Sequence, residues 1–77
     1  MLVGMVHLGR ILGANGLAAM EEVESNATRD ALTLARAGFD AILLENLGDT
    51  PYHPEHAPPH IVAGMTRTAM ATRRSLD

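Results

Sequence analysis

Ala41-Ile42-Leu43-Leu44-Glu45-Asn46 holds four apolar residues in a row and then turns polar. Four residues are too few for an independent helix, and an unbroken apolar run suits a parallel strand covered on both faces. A second run of this kind, Leu2-Val3-Gly4-Met5-Val6, stops at His7. Between the two, Met20, Val23, Ala27, Ala31 and Leu34 recur at helical spacing, and Gly38 stands where a helix commonly ends. The order is strand, helix, strand. Beyond it, Pro58-Pro59 announces a second helix that continues through Ile61, Val62, Met65, Ala69 and Leu76, with Arg73-Arg74 where cations suit the helix dipole. The predicted class is therefore α/β, a βαβα unit of two parallel strands and two helices.

A chain of 77 residues without cysteine has neither a disulfide nor a thiolate metal site to reinforce its small core. Two strands also leave both outer edges of the sheet without a neighbour. The unit thus reads as cut from something larger, completed either by more chain or by a homo-oligomer. Six arginines, no lysine and nine interspersed acids give a net charge of −3, which makes no field for a polyanion, so nucleic acid is not an expected partner. No apolar run is long enough to span a membrane, and no cationic leader with a cleavage site follows Met1; the expected location is cytoplasmic. Dinucleotide fingerprint, P-loop and nucleophile elbow are all missing, so no cofactor is indicated.

Both strands turn polar at their carboxyl ends, where α/β sheets and barrels gather their chemistry. His7 and Glu45-Asn46 then share one rim, about 5 Å apart on adjacent strands. Alternation puts Ala41, Leu43 and Glu45 on one face and Ile42, Leu44 and Asn46 on the other. A carboxylate above apolar layers is a candidate general acid or base, and an imidazole beside it can orient it or share its proton. Glu45 and His7 are the candidate catalytic residues. Each also has a plain structural alternative: Glu45 ending a strand on nearby backbone or arginine, His7 as a hydrogen-bonded strand-end histidine. Asn46 and Asp49 are the candidate ligand-binding residues of the same rim. The alternatives are an Asn46 that holds the loop backbone and an Asp49 that caps its own turn. His53, His56 and His60 lie at i, i+3 and i+7, but Pro54, Pro58 and Pro59 break the helix that would align them, so no metal site is expected.

Gly4-Met5-Val6-His7-Leu8, Met20-Glu21-Glu22, Asp30, Ala37-Gly38-Phe39-Asp40, Glu45 through Tyr52, and Pro58-Pro59 together resemble the opening of the BtpA/SgcQ family. The similarity runs the length of the chain and is most specific at Glu45-Asn46-Leu47-Gly48-Asp49-Thr50-Pro51-Tyr52. Members resemble ribulose-phosphate-binding (βα)8 TIM barrels, whose full length is about 250 residues. The resemblance implies that residues 1–77 are an incomplete barrel domain, its first two βα units. It further implies a whole protein that is an enzyme or binder of a small phosphorylated or nucleoside-like ligand, with this segment inactive alone. The family's name points to the alternative, a photosystem I biogenesis or assembly factor that acts through protein contacts. Where the family carries a proline-rich first loop, this chain has Gly9-Arg10-Ile11-Leu12-Gly13-Ala14-Asn15-Gly16, whose glycines leave the backbone without proline's preset φ.

Overall fold

The computed structural model describes residues 1–9, 11, 16–46 and 58–76. In chain order the elements are β1 (Val3–His7), α1 (Gly16–Arg36), β2 (Ala41–Glu45) and α2 (Pro59–Leu76). The strands pair in parallel, Val3 opposite Ala41 through His7 opposite Glu45. This is the expected βαβα arrangement.

Both helices lie on one face of the sheet. Gly4 and Val6 of β1 are buried while Val3, Met5 and His7 are exposed, so the even-numbered residues face α1. Val6 joins Leu8, Ile11, Val23, Ala27, Ala31 and Ile61 in one core, against which Met20, Leu34, Ile42, Leu44 and Met65 pack. The stripe read from α1 is thus the stripe it buries. Coverage on both faces does not occur among the described residues, since Val3, Met5 and Leu43 face away from the helices and are exposed.

Main-chain bonds set the ends of these elements. Pro58 accepts from the N–H groups of Ile61 and Val62, which makes it the cap and Pro59 the first helical residue of α2. Past α1, Gly38 takes φ +100°, its N–H donates to Ala35 and that of Phe39 to Leu34. This double bond pattern is the Schellman stop, which glycine enters without a Cβ penalty. At the start of the sheet, the C=O of Leu2 accepts from Asp40 and Ala41, and the Asp40 carboxylate accepts from the Leu2 N–H at 2.8 Å.

Helix α2 departs from its expected apolar face. Its buried residues are Ile61, Gly64, Thr68 and Thr72, whereas Val62 is more than half exposed and Leu76 is exposed as well. Small residues are there because the packing is close. A Cβ on Gly64 would stand 2.5 Å from Ile11 Cγ2, and Thr68 satisfies its hydroxyl by donating to Gly64 C=O at 2.8 Å. Across the helix pair, Arg67 forms an ion pair with Glu24, whose side chain is only 17% exposed.

Candidate functional site

Two equal five-residue strands that are tied together at their beginnings finish together. Asp40 and Leu2 make that tie. At the far end His7 and Glu45 stand in register, on the bare face of the sheet above Met5 and Leu43. His7 Nδ1 and Glu45 Oε1 are 3.9 Å apart, with the side chains 58% and 31% exposed. That separation is too long for a direct hydrogen bond and short enough for the charge of one group to act on the other. Just beyond, Leu8 N–H donates to Glu45 C=O at 2.7 Å and holds the glutamate backbone against β1.

The arrangement places an imidazole and a carboxylate side by side, both reachable from solvent and both over apolar residues. An imidazole exchanges protons near neutral pH, and a neighbouring carboxylate can orient it or take its proton. A groove of about 290 Å³ runs from His7 and Met5 to Asp30, Thr33 and Leu34 of α1, along the outer edge of β1.

Of the other residues singled out in the sequence, Asn46 follows Glu45 directly, is partly buried and has a partner of its own. Asp49, His53 and His56 lie outside the described residues. His60 is exposed in the first turn of α2. Among the described residues no three His, Asp or Glu side chains gather where they would hold a metal ion, and no helix is long and apolar enough to cross a membrane. The sequence reading missed Asp40, which sets the register behind the His7 and Glu45 pair. Its signal was local: an acid directly before an apolar strand, two residues after the helix-stop glycine.

Residues 1–76 match the BtpA family. The chain belongs to that family. It is 44% identical over 75 residues to an uncharacterized protein of Thermococcus kodakarensis, covering 94% of this chain and 28% of that protein. An uncharacterized protein of Methanocaldococcus jannaschii is 34% identical over 77 residues, 99% of this chain and 29% of that one. The photosystem I biogenesis protein BtpA of Synechocystis is 34% identical over 70 residues, which is 84% of this chain and 23% of that protein. The chain therefore spans less than a third of the length of these relatives. No solved structure matches it.

Proposed function

We propose that residues 1–77 supply the first two βα units of a BtpA-type (βα)8 barrel, with the bare sheet face turned toward the barrel interior. On this reading His7 and Glu45 form a proton-transferring pair on the rim, and Asn46 and Asp49 hold a small phosphorylated or nucleoside-like ligand beside them. The observation that carries it is the in-register placement of His7 and Glu45 on the uncovered face, 3.9 Å apart at the carboxyl ends of parallel strands. The short span relative to the family's longer members supports it. So does the exposure of Val3, Met5 and Leu43, which a closed barrel would bury as an interior layer. Placement in the cytoplasm goes with the same proposal.

A second reading takes its support from the Synechocystis relative, whose name assigns it to photosystem I biogenesis. There the outer helix faces act through protein contacts, and the exposed Val62 and Met70 of α2 are the surface concerned. One experiment separates the two. In an intact relative, glutamine at the position matching Glu45 removes turnover or the binding of uridine and ribose 5-phosphate, followed by titration calorimetry, and leaves partner pull-down unchanged. Loss of the pull-down with ligand binding intact favours the second reading.

A further inference from the structure

Residues 9–16 hold three glycines and no proline, a backbone with no preset φ of its own. Whatever fixes the course of the chain as it leaves His7 therefore has to be a tertiary contact. Leu8 and Ile11 supply it by turning to the helix side of the sheet. Leu8 donates its N–H to Glu45 C=O at 2.7 Å and buries its side chain in the core. Gly9 comes up against α1, where a Cβ on it would lie 3.6 Å from Val23 Cγ2. Ile11, only 3% exposed, is buried with Val23 of α1 and Ile61 of α2.

The seat of Ile11 is a notch in α2. A Cβ on Gly64 would stand 2.5 Å from Ile11 Cγ2 and 3.5 Å from both Ile11 Cδ1 and Met20 Sδ, so the side chain reaches this depth only over glycine. Gly64 is buried in the second turn of α2 and serves no turn, since among the described residues Gly38 alone takes a positive φ. Glycine is a poor residue for a helix interior, and the room it leaves for Ile11 is what it contributes here. Met20 and Gly64 both belong to the opening turns of their helices. Ile11 thus ties the exit of β1 to the start of α1 and the start of α2 together.

We propose that Ile11 is a positioning residue for the His7 and Glu45 rim. Seated in the Gly64 notch, it draws the chain leaving β1 onto the helices and holds the Leu8 N–H on the Glu45 carbonyl. It also keeps this first stretch of the exit off the face on which the His7 and Glu45 side chains stand. The link is short: Leu8 directly follows His7 and stands three positions before Ile11. Displacing Ile11 therefore pulls first on the bond that fixes the Glu45 backbone beside β1. Val6 N–H, two residues back on the same side of β1, also faces β2, but it lies inside the ladder and is held by the pairs around it. That the rim carries chemistry rests on the proposed function, whereas the placement of the rim by Ile11 does not.

Amide hydrogen exchange in the 77-residue chain, followed residue by residue by NMR, tests this. Gly64→Ala places a methyl group against Ile11 Cγ2. The Leu8 amide is expected to exchange about fivefold or more faster than in the unaltered chain, while the Val6 amide changes by less than about twofold. Adding Ile11→Met, which has no branch at Cβ to meet that methyl and keeps an apolar side chain of similar length, should return Leu8 to within about twofold of its original rate. A residue that only fills the core would instead speed both amides by the same factor through global opening, and that result overturns the proposal. So do an unchanged Leu8 amide, a Leu8 amide without protection in the unaltered chain, and a double variant that fails to recover. If circular dichroism shows Gly64→Ala to be unfolded, Ile11→Ala, which empties the notch without crowding it, is read in the same way; loss of the fold there too overturns the proposal. The result stands apart from the chemistry of the rim. Turnover retained with glutamine at the position matching Glu45 in an intact relative would remove the proposed function and leave the protection of Leu8 as it is.

Discussion

Asp40 accepts the main-chain N–H of Leu2 at 2.8 Å across 38 residues of sequence, and it does so at the end of the sheet opposite His7 and Glu45. A bond outside the candidate site thereby aligns the site. Asp40→Ala is expected to lower stability by about 1 kcal/mol, the net worth of one exposed hydrogen bond, while Asp40→Asn, which keeps an acceptor, retains most of it. Denaturant midpoints at one protein concentration make the comparison, because association would otherwise shift them. Equal losses in the two variants would show that the acceptor is not what matters.

Gly4 leaves room for Leu34. A Cβ there would lie 2.8 Å from Leu34 Cδ1, too close to accommodate without moving the side chain. Gly4→Ala should cost about 1–3 kcal/mol, and adding Leu34→Ala should recover part of that cost. A double-mutant cycle reads the coupling; additive losses would mean that the two positions do not meet.

Arg67 joins the two helices through its ion pair with Glu24. Arg67→Ala leaves the largely buried Glu24 carboxylate without its cation and should cost about 1–3 kcal/mol of stability. Replacing Glu24 by Gln in the same chain should return some of it. If Arg67→Ala unfolds at the parent's midpoint, the pair contributes nothing.

Thr72 is 4% exposed and its hydroxyl has no hydrogen-bond partner among the described residues, unlike Thr68 one turn earlier. Thr72→Val keeps the shape and removes the buried polar group, so the midpoint should rise by the equivalent of about 1 kcal/mol. Thr68→Val breaks a made bond and should not raise it. A stability loss in Thr72→Val would place a partner on that hydroxyl.

In an intact protein that contains this segment, His7→Asn or Glu45→Gln is expected to reduce turnover by about 10²-fold or more if the residue transfers a proton. Arg73→Ala should leave turnover within about twofold, a change of about 0.5 kcal/mol. On the proposed barrel reading the 77-residue chain by itself should show none, because the remaining units of the rim are not in it. Turnover by the purified segment, or full activity in both rim variants, would remove His7 and Glu45 from the proposed chemistry.

The elements were legible because their signals are local. Apolar runs that end at His7 and Glu45, the Val23, Ala27, Ala31 spacing, Gly38 and Pro58-Pro59 each report a preference of the backbone or of one helix face, and the structure realises each of them. The inner face of α2 was not legible in this way. Gly64, Thr68 and Thr72 carry no apolar stripe, and only the close approach of Ile11 and the self-satisfied hydroxyl of Thr68 make small residues the right ones to bury.

Chain order and composition determined that there are two parallel strands, which residues end them, and that a histidine and a glutamate stand at those ends. The tertiary structure decided their relation. A one-residue slip between the strands would put His7 and Glu45 on opposite faces, since side chains alternate along each strand. The observed register follows from the Asp40 and Leu2 contact, from Leu8 bonding Glu45, and from the depth to which Leu34 settles over Gly4. These are contacts between residues far apart in sequence, and they become specific only once the helix has brought the second strand back beside the first.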